Sequence, residues 1–491
     1  MSTPTSERAS SVGAPVAPGR ALSTLNEDGS RRWLRPRPSR GKFWQARRLV
    51  AWGLIGLFAV LPYITIGGHP ALLIDLANRK LHFFGHTLLP TDTPIFALLI
   101  GSVFAAIFGV TALFGRIWCG WACPQTVYME FLYRPIERFF DGEPGRKQRI
   151  KAAAGVRKTL KHLTFLLITL YIAHLALAYF VGVRTLGTWV TRSPLEHPGG
   201  FLVMAAVFAL MTFDFGYFRE QTCLIACPYG RLQAALLDRK SMIISYDAKR
   251  GEPRGAKKRA PKADDGVVSL DILTPDQPKG DCIDCRMCVT TCPTGIDIRE
   301  GLQMECIGCA QCIDACNAVM DRIRRPRGLI RYSSQAAMAG ERSRVLRPRL
   351  VIYAVVFLGL FTLMSTLFVT RPPAEVGLLP RIGSPFYTAP SGEIANAIRL
   401  RMVNRQDAPA QFQVSSPTVG VGVTLEDNPV TLDAGESRTT PVTVTIPASA
   451  FDRRGGRDIE LVITTDGGFE KKLSFHALGP VNRDAPHEEE D

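Results

Sequence analysis

The sequence has 491 residues, is 46% hydrophobic and carries a formal charge of +15. Its apolar residues gather into long runs separated by Arg- and Lys-rich stretches, which excludes a single soluble core and describes a membrane protein. The positive charge lies beside those runs without an interleaved aromatic and basic recognition surface, so topology and membrane lipid account for it and nucleic acid is excluded as a partner.

In chain order, residues 1–48 read as a disordered, basic cytoplasmic tail. Residues 1–30 are rich in Ser, Ala, Pro and Gly with no apolar core ahead of a cleavage site, and Arg31, Arg32, Arg35, Arg37, Arg40, Lys42, Arg47 and Arg48 follow. A bilayer core takes roughly 20 helical residues to cross. Five segments meet that length, at 49–68, 95–114, 163–183, 200–216 and 350–369. Lys plus Arg number 10 before the first, 2 after it, 10 after the second, 2 after the third and 23 after the fourth. The positive-inside rule therefore predicts a multi-pass protein of a bacterial inner membrane, with the N-terminus and the second and fourth loops cytoplasmic and the C-terminal domain periplasmic. Residues 49–248 form a membrane domain with four of the spans. His174 and Asp214 lie within spans and are candidates for a redox or proton role. The plainer readings are a hydrated Asp214 at the interface and a His174 bonded to a neighbouring helix. His69, His82 and His86, in the first outer loop, lack the spacing of a metal site.

All 12 cysteines fall in segments assigned to the cytoplasm, a reducing compartment where such clusters are metal or redox sites rather than disulfides. Four form an internal repeat: Cys119 and Cys123 before Pro124, and Cys223 and Cys227 before Pro228, each just past the cytoplasmic end of a span. Residues i and i+4 of a helix share a face, so two related hairpins would offer four soft sulfurs suited to Cu(I). A dithiol–disulfide couple, or packed unreactive cysteines beside a proline kink, are the other readings. Residues 249–270, basic and turn-rich over 249–262, read as a linker held near the anionic leaflet.

The other eight cysteines lie in residues 271–330 as Cys282, Cys285, Cys288, Cys292 and Cys306, Cys309, Cys312, Cys316, both spaced C-x2-C-x2-C-x3-C. Three thiolates of a tight loop cap three corners of a cubane, and the fourth reaches the other cluster. The expected ligand sets are Cys282, Cys285, Cys288 and Cys316 for one [4Fe-4S] cluster and Cys306, Cys309, Cys312 and Cys292 for the other. Gly308 and Ala310 let backbone amides approach, and Gly295 turns the chain. Zinc would call for two CxxC pairs set well apart. Residues 331–370 form a connector and the fifth span. Residues 371–480 alternate in short runs, AIRLRMVN, QFQVSS, VGVTLE, TPVTVTI, DIELVITT and KKLSFHA, separated by turn residues such as Asn428, Pro429, Asp466, Gly467 and Gly468. That is the pattern of an immunoglobulin-like β-sandwich; residues 481–491 are an acidic tail. The fold class is an α-helical integral membrane protein with a bacterial 2[4Fe-4S] ferredoxin-like module and a C-terminal all-β immunoglobulin-like domain.

WCGWACPQT, ACPYGR, the paired cysteine runs, the outer-loop stretch GGHPALLIDLANRKLHFFG and the β domain together resemble the cytochrome c oxidase accessory proteins of the CcoG, FixG and RdxA family. The resemblance covers nearly the whole chain after about residue 40. It implies assembly of a cbb-type haem-copper oxidase through reduction of Cu(II) to Cu(I), an oxidoreductase activity with copper as a further cofactor. Implied partners are oxidase assembly factors or copper-handling proteins and an unidentified electron donor. No residue is assigned as catalytic. Two rival readings stand beside it: a quinol dehydrogenase subunit feeding a periplasmic reductase, which would lack the large β domain, and a non-catalytic assembly scaffold with regulatory clusters.

Overall fold

The computed structural model describes residues 23–26, 28, 30–76, 79–144, 154–255, 279–341, 347–380, 384–406 and 408–481. Half of the predicted N-terminal tail, most of the basic linker and nearly all of the acidic tail lie outside the described residues. The chain divides into two compact units, residues 1–64 with 98–362 and residues 65–97 with 363–491.

Among the described residues, five helical segments are long and apolar enough to cross a membrane: Lys42–Tyr63, Thr93–Phe114, Gly155–Val181, Pro198–Phe218 and Pro348–Val369. The first starts ahead of the predicted residue 49. Its α-helix ends at Val60 and a 3₁₀ turn through Pro62 closes it, since proline cannot continue the ladder of helical hydrogen bonds. Gly182, at φ 85, ends the third span. Tyr179 Oη donates to the Phe58 carbonyl at 2.7 Å, and the two rings stack with centroids 5.0 Å apart, joining the first and third spans. His174 Nδ1 lies 2.8 Å from the carbonyl of Leu170 on its own helix, not on a neighbour as the plainer reading expected. Asp214 accepts from Gln125 Nε2 at 3.2 Å and from the Thr222 hydroxyl, so it ties the end of the fourth span to both cysteine hairpins.

The expectation of a disordered tail fails for its described part. Arg37 exchanges backbone and side-chain hydrogen bonds with Thr290 and Thr291, and Ser23 Oγ donates to the Thr294 carbonyl at 2.7 Å. Basic composition suggested solvent, whereas the chain here supplies extended backbone that a cysteine-rich loop can bond. The first span also begins without a cap of its own. Phe43 N and Trp44 N donate instead to the carboxylate of Asp314, at 3.3 and 2.8 Å, on the helix Gln311–Arg322. A carboxylate at a helix N-terminus satisfies orphan N–H groups and the helix dipole together. Gly41 is required there, because a Cβ would collide with that carboxylate.

The cysteine-rich module begins earlier than the predicted 271. Strand Ile243–Tyr246 pairs antiparallel with Ile330–Ser333, and Arg250 bonds Asp281 at 2.5 Å, so the described start of the supposed linker is part of the module. Ile244, Ile296, Ile298, Ile313, Met320, Leu329 and Ile330 form its apolar core, with Cys282, Cys288, Cys312 and Cys316 buried among them.

The second unit is a two-sheet sandwich. One sheet runs Gly422–Thr424, Ser437–Ile446, Ile394–Asn404, Ala374–Pro380, with Tyr387–Thr388 also pairing Ile394–Asn404. The other runs Val430–Leu432, Ala410–Ser415, Gly456–Thr465, Glu470–Leu478. Alternation buries every second side chain, as in Ala410–Ser415, where Ala410, Phe412 and Val414 face the core; period-two patterning is what a sheet with one dry face requires. Residues 69–94, predicted as an outer loop, contain a three-stranded antiparallel sheet of Leu72–Asp75, Lys80–Phe83 and His86–Leu88. Asp92 pairs with Arg371 at 3.0 Å and Arg405 at 3.1 Å, which holds that excursion to the sandwich.

Candidate iron-sulfur and thiol site

Two loops of identical spacing adopt the same backbone turns. Asp284 and Arg286 in the first, and Gly308 and Ala310 in the second, occupy equivalent places between cysteines, and all four have φ between 53 and 67. Three of them are not glycine, and left-handed backbone costs a non-glycine residue about 1–3 kcal/mol where a surrounding structure imposes it. The turns direct successive thiols inward, onto two cavities. One, with about 350 Å³ of empty space, is lined by Cys282, Cys285, Cys288 and Cys316 together with Tyr246 and Arg299. The other, about 330 Å³, is lined by Cys292, Cys306, Cys309 and Cys312, with Cys288 on the shared side and Ile244, Ile296 and Ile298 closing it. Each loop thus contributes its last cysteine to the other loop's cavity. Walls of thiols and apolar side chains, with Tyr246, Arg286 and Arg299 the other polar members of the first and Thr294 of the second, fit the donor chemistry of a sulfur-ligated iron cluster.

Burial dominates the electrostatics of these thiols. Burial, with neighbouring thiols adding to it, pushes Cys288, Cys306 and Cys316 up to about 12 and Cys309 up to about 11. Protons therefore occupy the bare thiols at neutral pH, and a bound cation has to displace them. Cys285 is the exposed member; the other seven are partly or fully buried.

The four remaining cysteines also come together, although not as two helical i, i+4 pairs. Cys119 lies on the short helix Ile117–Trp121, but Cys123 has extended backbone (φ −60°, ψ 126°) and precedes Pro124, which starts the next helix. Cys227 repeats this at φ −75°, ψ 108° before Pro228. The residue before proline is forced out of helical backbone, so each motif is a turn, a hinge and a new helix. Gly115 and Arg219, four residues ahead of the first cysteine of each motif, share a positive φ, at 61 and 56. Cys119, Cys123 and Cys223 are raised by burial, Cys223 to about 12, and each feels the charge of other members of the set. Cys119 Sγ donates to Gln233 Oε1 at 3.0 Å, and the Arg116 guanidinium approaches the same sulfur at 4.0 Å. Among the described residues no three His, Cys, Asp or Glu side chains stand at the spacing of a ready single-ion site.

The first thiol motif packs directly on the second cysteine loop. Cys119, Ile307 and Cys309 form one buried patch with Tyr229 against it. At Gly120 an added Cβ would meet the Ile307 carbonyl at 2.5 Å and the Cys309 backbone at 2.9 Å, so only glycine permits this approach. Trp121 Nε1 donates to Tyr332 Oη at 3.2 Å, which in turn donates to the Gly308 carbonyl at 2.7 Å.

Beneath the two motifs lies a buried ionic network that sequence reasoning missed. Glu130 accepts from Arg134 at 2.5 Å and from Gln311 at 2.9 Å. Arg134 also meets Glu220 at 3.6 Å and donates to the Pro293 carbonyl at 3.3 Å, beside Cys292. Burial pushes the Glu130 carboxyl up, but Arg134, Arg47 and Arg138 outweigh it and hold the group below the usual glutamate range. The available signal was charge in a segment next to a span, which the positive-inside rule explained away.

Comparison with known proteins agrees with this geometry. Residues 218–335 match a family described as a 4Fe-4S dicluster domain, and residues 96–143 match a 4Fe-4S binding domain. Residues 364–477 match the Ig-like fold at the C-terminus of FixG. Protein RdxB of Cereibacter sphaeroides is 34% identical over 82% of this chain and 87% of its own length. RdxA of the same organism is 33% identical over 77% and 81%, and nitrogen fixation protein FixG of Rhizobium meliloti 31% over 86% and 88%. Among solved structures, a FixG-related protein from Vibrio parahaemolyticus covers 22% of this chain and 97% of its own at 13% identity, with a TM-score of 0.20. The chain belongs to the FixG/RdxA family of membrane iron-sulfur electron-transfer proteins.

Proposed function

We propose that the chain relays single electrons from a cytoplasmic donor to Cu(II) held at Cys119, Cys123, Cys223 and Cys227, and releases Cu(I) for assembly of a cbb-type oxidase. Cys282, Cys285, Cys288 and Cys316 hold one [4Fe-4S] cluster, and Cys292, Cys306, Cys309 and Cys312 the other. Bound there, such clusters supply one-electron chemistry without exchanging ligands. The exposed Cys285 marks where electrons enter, and the buried patch of Cys119, Ile307 and Cys309 marks where they leave. That packing is the observation that carries the reading: Cys119, Ile307 and Cys309 form one buried patch that joins the wall of the second cavity to the four-thiol set. Each electron reduces one Cu(II) to Cu(I), while the thiols give up protons as they bind. Soft thiolates favour the Cu(I) product. The positive-inside rule supports both sites on the cytoplasmic side of an inner membrane and the sandwich in the periplasm, with oxidase assembly factors or copper-handling proteins as its partners.

The test is anaerobic titration of dithionite-reduced protein with Cu(II), following cluster absorbance, in wild type and in a variant with all four motif cysteines changed to Ser. Wild type should oxidise its clusters in step with added Cu(II) while the variant does not. Equal oxidation in both would remove copper from this site, and rapid oxidation by a quinone analogue instead would favour the quinol route.

A further inference from the structure

Arg47 and Arg48 are neighbours on the first span and have opposite fates. Arg48 is exposed and lies over the Trp44 ring at 4.9 Å. Arg47 is 0% exposed. Its Nε donates to the Gly120 carbonyl at 2.8 Å, inside the first thiol motif. Its guanidinium also sits 5.5 Å from the Phe131 ring centroid. A guanidinium carries five N–H donors, and one is used. Both terminal nitrogens, which carry the other four, are buried with no hydrogen-bond partner among the described residues. Buried donors are almost always satisfied, so an orphaned pair calls for an acceptor.

The neighbouring carboxylate is committed elsewhere: Glu130 receives Arg134 on one oxygen and Gln311 on the other. The Gly120 that Arg47 holds packs against the second cysteine loop, where a Cβ on it would stand 2.9 Å from the Cys309 backbone, so the free end of the guanidinium lies beside the loop that carries the Cys309 sulfur.

We infer that Arg47 donates its free N–H groups to sulfur of the iron-sulfur group held at Cys292, Cys306, Cys309 and Cys312, and is the positioning residue that sets that group's reduction potential. The inference rests on the ligand assignment proposed above. Reduction adds one negative charge beside a buried guanidinium, and N–H donors to sulfur stabilise the more electron-rich form. Removing Arg47 therefore lowers the potential of the second cluster and leaves the first, across the shared Cys288 wall, unchanged. Because Nε holds Gly120, the same side chain links that cluster to the thiol motif its electrons would reach.

The experiment is redox titration of purified full-length protein followed by EPR, with iron and acid-labile sulfide measured on each sample. Arg47→Met should make one of the two clusters at least tenfold harder to reduce, about 59 mV for a one-electron couple, and Arg47→Lys should restore part of the shift. A structural tether alone would lower stability without moving one potential selectively. Unchanged potentials at full iron content would overturn the inference. Wild-type protein with only one cluster's worth of iron and sulfide would overturn the ligand assignment instead. Should Arg47→Met fail to fold, protein labelled with ¹⁵N in its arginine guanidino groups supplies the second measurement. Weak ¹⁵N coupling to a reduced cluster, lost in Arg47→Lys, supports the hydrogen bonds; its absence in wild type overturns them.

Discussion

The cysteine-rich module and the β-sandwich build their interiors from different materials. The sandwich is closed by fully buried Leu400, Met402, Phe412, Leu432, Val444, Ile446, Leu461 and Ile463, and most of its few buried polar groups are paired. Asn404 Nδ2, for example, bonds the carbonyls of Ala408, Leu432 and Asp433 at 2.8–3.1 Å. The module instead walls two cavities with thiols, accepts left-handed backbone at Asp284, Arg286 and Ala310, and leans on the charged network of Glu130, Arg134 and Glu220. An apolar core is stabilised by its own contacts, whereas a thiol-walled core depends on the group its thiols bind. The two should therefore fail under different insults.

The sharpest separation comes from iron. Cys309→Ser, or chelation of iron from the wild type, should abolish the visible absorbance of the second cluster and open residues 279–341 to limited proteolysis, with the sandwich still resistant. Simultaneous cleavage of both would break the distinction. In the opposite direction, Phe412→Ala should cost the sandwich about 3–5 kcal/mol, read as a lowered β-sheet melting transition at unchanged iron content.

Acid should act on the module through Glu130, where a charge pair is buried. Breaking such a pair costs about 3–5 kcal/mol, so Glu130→Gln should weaken cluster retention at neutral pH. Because the folded state holds this carboxyl below its ordinary value, its contribution is present above the unfolded glutamate pKa and is lost as pH falls through the lower folded value. Cluster absorbance against pH should show an acid limb in wild type that Glu130→Gln flattens; an unaltered limb would place the acid sensitivity elsewhere. The smallest effect is expected from Asp314→Ala, which removes the borrowed cap of the first span and should cost about 1 kcal/mol in a denaturant melt.

Much of this was legible in the sequence, for physical reasons. Hydrocarbon thickness forces long apolar runs, so the five spans stand out, and alternation betrays the sandwich strands. Cubane ligation fixes the cysteine spacing. What was hidden depends on partners far along the chain. Arg47 reads as one more topological charge until Gly120 and Cys309 are seen beside it, and Asp314 does not announce that it caps a helix near residue 43. The i, i+4 reading of the C-x3-C-P motifs failed because the proline was treated as a kink, when its main effect is on the backbone of Cys123 and Cys227. The strands at 65–88 were overlooked because each is short and half-exposed, giving little alternation to detect.

Direct packing of the first thiol motif on the second cysteine loop is the step on which electron transfer out of the module depends, and Gly120 is its narrowest point. Single-turnover oxidation of pre-reduced protein by Cu(II), compared between wild type and Gly120→Ala at matched iron content, tests it most directly. A Cβ there should push the motif away from Ile307 and Cys309 and slow cluster oxidation by about tenfold or more without weakening Cu(I) binding. Equal rates in the two proteins would contradict a path through this contact.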